Sequence, residues 1–383
     1  MSAPRRVLFV DHAGVLGGAE LSLLDLAMAF GDRARVALLA DGPFADRLRA
    51  RGVRVTTTPM GALADVRKDT RLPSFGALAA MWRTAGALGA TVDPSELLCA
   101  NSQKAFVVSA LAGWRAQRPV AWILRDILAA PHFSGANIRA VITLANWRAC
   151  RVIANSQATA DAFVAAGGRK SLVCVVHNGI DAAPFDVVTP ADGQAVRRAL
   201  HIPDDAFTVA MPGRFHAWKG QQVLLAALAQ VPNVHAIIAG APLFGEQAFA
   251  DELRARAARL GVADRAHFTG FRDDIPALLS AANVVVHAST LPEPFGRVVV
   301  EGMLAHRPVV ASNAGGVPEL IVDGESGVLV PPADARALAA AIAALRDDAP
   351  RAARIAAAGA RRARTLFTVG AMARGIEEAL AAC

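Results

Sequence analysis

Short runs of branched aliphatic residues alternate with longer stretches of helical spacing, and this pattern is laid down twice. The first series of predicted strands is Val7–Val10, Val36–Ala40, Val53–Thr57, Leu97–Ala100, Val120–Leu124, Val152–Ala154 and Leu172–Val176. After Val176 comes turn chemistry, His177-Asn178-Gly179-Ile180-Asp181, then a segment rich in Pro, Asp and Gly up to Asp205. The series then restarts with Phe207–Met211, Val234–Ala239, Ala266–Phe268, Val284–His287, Val309–Ala311 and Val328–Val330. Strand–helix alternation requires a parallel sheet covered on both faces. The expectation is therefore α/β, with two doubly wound parallel-sheet domains split near residue 185. Residues 1–185 form the first, 186–366 the second, and 367–383 a C-terminal helix that returns to the first.

At 383 residues and 54% hydrophobic composition, the chain has material for two cores. No charge-free apolar run reaches the ~18 residues of a membrane span. Arg5 and Arg6 precede Val7–Val10, but Asp11 and His12 end the run too early for a signal peptide. Cys99, Cys150, Cys174 and Cys383 are far apart and form no Cys-x-x-Cys pair. Reduced thiols are predicted, with neither a disulfide framework nor a zinc site, and hence a cytoplasmic protein. The net charge of +7 favours anionic partners, although an arginine-rich solvated surface gives the same balance. Five tryptophans and no tyrosine, with no recognisable motif, argue against nucleic acid.

Ligands of open parallel sheets bind beyond the carboxyl ends of the strands, so the segments just after each strand carry the functional signal. The first is Gly14-Val15-Leu16-Gly17-Gly18-Ala19-Glu20, which suits an anion at a helix start and is equally a plain tight turn. It is not the dinucleotide fingerprint. Behind Phe207–Met211 comes Pro212-Gly213-Arg214-Phe215-His216-Ala217-Trp218-Lys219-Gly220, two cations in one loop. Arg grips phosphate with two parallel bonds and Lys supplies a point charge. Ordinary surface charges beside a helix start would look the same.

The richest segment is Ser289-Thr290-Leu291-Pro292-Glu293-Pro294-Phe295-Gly296-Arg297, continuing to Glu301. Eight positions on one helix turn by ~800°, about 80° out of register. Pro294 and Gly296 therefore place Glu293 on the loop and Glu301 on the helix that follows. From there both can converge on hydroxyls, with the amides of Phe295, Gly296 and Arg297 at the helix start. Asn313-Ala314-Gly315-Gly316-Val317-Pro318-Glu319 is a further glycine turn after a strand.

In this order, Gly213-Arg214 with Lys219-Gly220, Ile238-Ala239-Gly240, Phe268-Thr269-Gly270, Glu293-Pro294-Phe295-Gly296 with Glu301, Gly315-Gly316-Val317-Pro318-Glu319 and Asp323-Gly324-Glu325-Ser326-Gly327 resemble the retaining GT-B glycosyltransferases of family four. Gly17-Gly18-Ala19-Glu20, Asn155-Ser156 and Asn178-Gly179-Ile180-Asp181 extend the resemblance upstream. It implies two Rossmann-like domains facing a cleft and transfer of a sugar, with retention, from a nucleotide-diphosphate donor. Arg214 and Lys219 would hold the diphosphate, Glu301 the ribose, and Glu293 the transferred sugar. Gly17 and Gly18 would close over the phosphates. Gly240, Phe271, Phe295, Gly296 and Arg297 would complete the donor site, Phe271 against the base. A front-face mechanism, in which the leaving phosphate helps take the acceptor's proton, needs no protein nucleophile and no metal or other cofactor. The acceptor would be a glycan or lipid-linked, in bacterial surface polysaccharide or glycolipid synthesis.

Many such proteins carry a histidine motif after a first-domain strand; here Val120–Leu124 runs into Arg125-Asp126, with His132 later. Arg125 and Asp126 are the acceptor-side candidates, or else an ion pair of structure. Arg67, Lys68 and Arg71 precede Phe75, Leu78, Ala79 and Trp82, an apolar stripe at helical spacing. The stripe fits either an anionic membrane surface at the inner face or packing on the protein's own sheet. The other enzyme readings are a nucleotide-sugar epimerase and a dinucleotide oxidoreductase, the latter disfavoured by the missing fingerprint. A catalytically silent nucleotide-sugar-binding module is the remaining alternative, and Arg214, Lys219, Glu293 and Glu301 together argue against it. Nucleotide base, sugar and oligomeric state are not legible.

Overall fold

The computed structural model describes residues 5–60, 75–131, 133–242 and 246–383. Arg67, Lys68, Arg71 and His132 lie outside the described residues. The chain divides into two compact units, one of residues up to Gly179 together with Val369–Cys383, the other Ile180–Thr368.

The first unit holds a parallel sheet of seven strands: β1 (Arg6–Asp11), β2 (Ala34–Leu38), β3 (Arg54–Thr57), β4 (Glu96–Ala100), β5 (Val120–Leu124), β6 (Ala149–Ala154) and β7 (Val173–Val175), in the order β3-β2-β1-β4-β5-β6-β7. The second holds six: β8 (Phe207–Pro212), β9 (Val234–Ala239), β10 (Ala266–Gly270), β11 (Val284–His287), β12 (Val309–Ser312) and β13 (Val328–Val330), in the order β10-β9-β8-β11-β12-β13. Every pairing is parallel. Central strands such as β4, β5 and β11 are buried along their whole length, which is why they read as near-continuous apolar runs, broken only at one end by Glu96 in β4 and His287 in β11. Winding reverses between β1 and β4 and between β8 and β11, the switch points at which such sheets bind ligands.

The C-terminal helix Val369–Ala381 belongs to the first unit and buries Met372, Ile376, Ala379 and Leu380 in a core shared with Leu23, Ala27 and Phe30. Its end corrects the reading of the cysteines. Cys150 on β6 and Cys383 form a disulfide, their Cα atoms 5.2 Å apart across a sequence separation of 233. No spacing rule reveals such a pair, because only the docking of the last helix brings the two together. Cys99 and Cys174 keep free thiols, and burial pushes the Cys99 thiol up to about 12.

The apolar stripe also behaves differently from a core-packing face. Helix Phe75–Thr91 buries Ala77, Ala80, Thr84, Ala85 and Leu88, while Phe75, Leu78, Ala79 and Trp82 are exposed. Small residues on the inner side bring it close to helix Gln103–Ala116; the Gly89 Cα side lies against the Ala112 backbone. Trp82 and Trp114 sit 6.3 Å apart, both about half exposed, with the Arg115 guanidinium 5.1 Å from the Trp82 ring centroid.

Two close backbone approaches set the loops at the second unit's switch point. Gly220 has φ of 84°, and a Cβ there would lie 1.8 Å from the Ala288 carbonyl oxygen. Gly315 has φ of 65°, and a Cβ would lie 2.2 Å from the Glu293 carbonyl oxygen. Gly220→Ala must adopt a left-handed conformation, costing about 1–2 kcal/mol, and must also move the Ala288 carbonyl. It is expected to lower the unfolding midpoint measurably in a thermal melt; a neutral substitution would show that the two loops do not need this contact.

Candidate active site

Lys219 ends a short 3-10 turn, Ala217–Lys219, after β8; Glu293 lies in the loop after β11. Strands β8 and β11 are sheet neighbours, so residues 74 apart in sequence become adjacent. The Thr290 amide donates to the Trp218 carbonyl at 2.7 Å, tying loop to loop. The Lys219 ammonium donates to Glu293 Oε1 at 2.7 Å and lies 4.3 Å from the Trp218 ring centroid, a cation–π contact. Glu293 Oε2 is 2.7 Å from His287 Nε2 and accepts from the Ser289 hydroxyl at 2.7 Å. Its main chain is held as well, since the Gly316 amide donates to the Glu293 carbonyl at 2.8 Å. Burial alone would raise this carboxyl. The Lys219 charge and the hydrogen bonds from His287 and Lys219 outweigh burial and hold it well below the usual carboxylate range. Both oxygens of Glu293 are thus engaged within the protein.

The remaining donor-side candidates share this carboxyl edge. Arg214 follows β8, is half-buried, and its carbonyl accepts from Gln221 Nε2 at 2.9 Å. Its charge acts on Glu246, whose carboxyl burial raises and Arg214 lowers. Glu246 also lies 3.0 Å from His216 Nε2. Gly240 follows β9 and donates its amide to the Gly270 carbonyl at 2.8 Å. Phe271, just after β10, is 67% exposed and offers an open ring face. Phe295 is buried edge-on against Phe367, centroids 6.1 Å apart, and anchors the loop rather than lining its surface. Gly296, left-handed with φ of 97°, caps the helix Arg297–Leu304, which carries Glu301. Arg297 Nε and Glu301 Oε1 are 3.4 Å apart, one turn from each other.

In the first unit, Gly17 caps the helix Gly18–Phe30 and Gly18 opens it. Of the polar centre there, the sequence singled out Arg125 and Asn178 but not Asp11 or Asn101. Asp11, fully buried at the end of β1, accepts the His12 amide at 2.6 Å and the Asn101 side-chain amide. His12 Nδ1 lies 2.7 Å from the Ser102 hydroxyl. Arg125 donates Nε to Asn101 Oδ1 and Nη1 to Asn178 Oδ1, both at 2.6 Å. Arg125 therefore ties the end of β4 to the turn after β7, and Asp126 follows it, partly buried. The signal available was position alone, since these residues end a strand or follow one within three positions. Burial would raise the Asp11 carboxyl, but His12 and Asn101 hold it below its usual range. Glu20, buried beside that negative charge, is pushed up to about 7, chiefly by burial and then by Asp11. Among the described residues, no three His, Cys, Asp or Glu side chains gather as a metal site.

Two parallel α/β units, each with its polar groups at strand carboxyl edges, define the GT-B class. The description "Glycosyl transferase 4-like domain" matches residues 17–179 and "Glycosyl transferases group 1" residues 192–362. The chain is 41% identical to Anabaena Alr3699/HepE, solved in complex with UDP and glucose and with UDP-glucose. That alignment covers 99% of this chain and 100% of the other, with a TM-score of 0.90. The chain belongs to the group 1 glycosyltransferases. It is also 42% identical over 158 residues to a D-inositol 3-phosphate glycosyltransferase of Mycolicibacterium gilvum, and 37% over 183 residues to that of Mycolicibacterium smegmatis. These matches take in 41% and 47% of this chain, but only 35% and 41% of the length of those curated relatives. The fold alone is shared with sucrose-phosphate synthase of Thermosynechococcus elongatus, at 23% identity, 98% coverage of each chain and TM-score 0.80.

Glu20 generates a pH prediction. An unfolded glutamate titrates near ~4.3, so between there and about 7 the folded chain keeps a proton the unfolded chain has lost. Stability should fall as pH rises through that window, by on the order of 3 kcal/mol, and level off above it. The unfolding midpoint of Glu20→Gln relative to wild type should rise from pH 5 to pH 7.5; a constant difference would contradict a protonated Glu20.

Proposed function

We propose that the protein transfers glucose from UDP-glucose, with retention, to a glycan or lipid-linked acceptor in surface polysaccharide or glycolipid synthesis. The observation that carries this reading is the Lys219 ammonium fixed 2.7 Å from Glu293 at the switch point, in a chain 41% identical along its length to a protein solved with UDP-glucose. Arg214 and Lys219 bind the diphosphate and stabilise the charge that grows on it as the anomeric C–O bond breaks. The acceptor oxygen attacks from the same face, and the departing phosphate oxygen takes its proton. Two protein cations supply the counter-charge, so no metal is required. Glu301 accepts the ribose hydroxyls, Phe271 stacks on the uracil, and the amides after Gly296 face the sugar-phosphate. Arg125 and Asp126 serve the acceptor side. The names of the mycobacterial relatives make a phosphorylated polyol the second acceptor class to try.

UDP at ~100 times its dissociation constant should stabilise the protein by about 2.7 kcal/mol, and GDP or ADP should do so less. Glu301→Ala should remove most of that shift. Arg214→Ala should chiefly slow release of UDP from UDP-glucose, with EDTA without effect. Absence of any shift with UDP would sink the donor assignment, and a β-configured first product seen by NMR would sink retention.

The exposed Leu78, Trp82 and Trp114, edged by Arg83 and Arg115, support work at an anionic membrane surface, the inner face of the cell membrane. No described helix is long and apolar enough to cross a membrane. The protein should sediment with vesicles containing phosphatidylglycerol and not with neutral vesicles, and Trp82→Ala with Trp114→Ala should reduce binding about tenfold or more. Equal recovery of the double variant would show that this face does not bind lipid.

A further inference from the structure

His287 ends β11 and is 5% exposed. Its Nε2 is 2.7 Å from Glu293 Oε2, whereas its Nδ1 is buried without a hydrogen-bond partner. A proton on Nδ1 would be a stranded donor, so the ring proton belongs on Nε2, where it donates to the carboxylate. The strand end that carries the ring is fixed, since its backbone pairs with Ala311 in β12 and its carbonyl accepts from the Ser312 hydroxyl at 3.4 Å, and burial leaves the ring little room to turn. His287 and Ser289 together occupy Oε2, which leaves Oε1 as the oxygen presented to Lys219. The order of action is thus strand, imidazole, carboxylate, ammonium, each link a hydrogen bond of 2.7 Å beyond the first.

We propose that His287 is a positioning residue of the donor site: by orienting Glu293 it fixes the Lys219 ammonium where the leaving diphosphate gathers charge, and so governs the rate of transfer more than donor affinity. Without the imidazole, Oε2 loses a fixed donor and the carboxylate can swing, taking the ammonium with it. A cation displaced by an ångström still attracts the ground-state diphosphate but no longer matches the transition state. Ground-state affinity is spread over Arg214, Glu301 and the helix amides, so it changes little. Nothing about this role is visible in composition, since a histidine closing a buried strand is ordinarily a core residue.

The inference rests on the UDP-glucose reading, and the experiment separates the two. UDP release from UDP-glucose, with water as acceptor, and UDP affinity by calorimetry are measured for wild type, His287→Ala, His287→Gln, Glu293→Ala and the double variant His287→Ala/Glu293→Ala. The Gln amide can place an N–H near the Nε2 position. We expect kcat of His287→Ala to fall about tenfold or more with UDP affinity within roughly threefold of wild type. His287→Gln should recover most of the rate, and the double variant should be no slower than Glu293→Ala alone. Wild-type kcat in His287→Ala overturns the inference. So does a loss that His287→Gln does not recover and that persists in the Glu293→Ala background, since that pattern marks a packing defect. If wild type neither binds UDP nor releases it from UDP-glucose, the donor reading falls and this inference falls with it; if wild type does both, only the role of His287 is at stake.

Discussion

A parallel strand buried on both faces has no side on which to carry a polar group, so the chemistry of both units is pushed to the strand ends. In the second unit the ends of β8 and β11 meet at the switch point, and the Lys219–Glu293 pair joins their loops. Everything around it serves that juxtaposition. Gly220 lets the backbone come down on Ala288, Gly315 lets the next turn come down on Glu293, and Thr290 ties back to Trp218. Each of these approaches holds one of the two loops that carry the pair.

The electrostatics distinguish the two units. A buried carboxylate is costly unless it is paired and hydrogen-bonded. Glu293 has both conditions met, with a cation on one oxygen and two further donors on the other, and it stays ionised. At Glu20 burial and the like charge of Asp11 outweigh a backbone hydrogen bond and the charges of His12 and Arg125, so it holds its proton to about 7. The same side-chain type, buried to a similar extent, therefore ends as a charge in one unit and as a near-neutral acid in the other. Burial sets the cost in each case; the neighbours decide the sign of the outcome.

What could be read from the sequence follows from the same physics. Strands such as Val120–Leu124, Val234–Ala239 and Val284–His287 were legible to the residue because continuous aliphatic runs have few other uses. The break of element type at Pro294 and Gly296 placed Glu293 on a loop and Glu301 on a helix, as the structure has them. Partners were not legible. Nothing in the chain says that Glu293 spends both oxygens on Lys219, His287 and Ser289, because the first contact joins loops of two strands and the other two depend on how the loop after β11 folds back on the strand end. The Cys150–Cys383 bond was hidden for the same reason. The stripe from Phe75 to Trp82 misleads in the opposite direction: its large apolar residues look like the core face, yet the buried side of the helix carries Ala77, Ala80 and Thr84.

The contrast between the polar centres of the two units is also one of chemistry. A diphosphate needs fixed positive charge, and charge leaves a mark in sequence: Arg214 and Lys219 in one glycine-flanked loop, a carboxylate with proline beside it in another. The first unit's centre is built mainly from neutral amides, with Asn101 and Asn178 bridged by Arg125 and anchored on Asp11. Asparagines are common turn residues, and in a turn they carry no signal of their own. A centre built of such amides is therefore harder to read from sequence than a loop that carries two cations, and only the folded chain displays it.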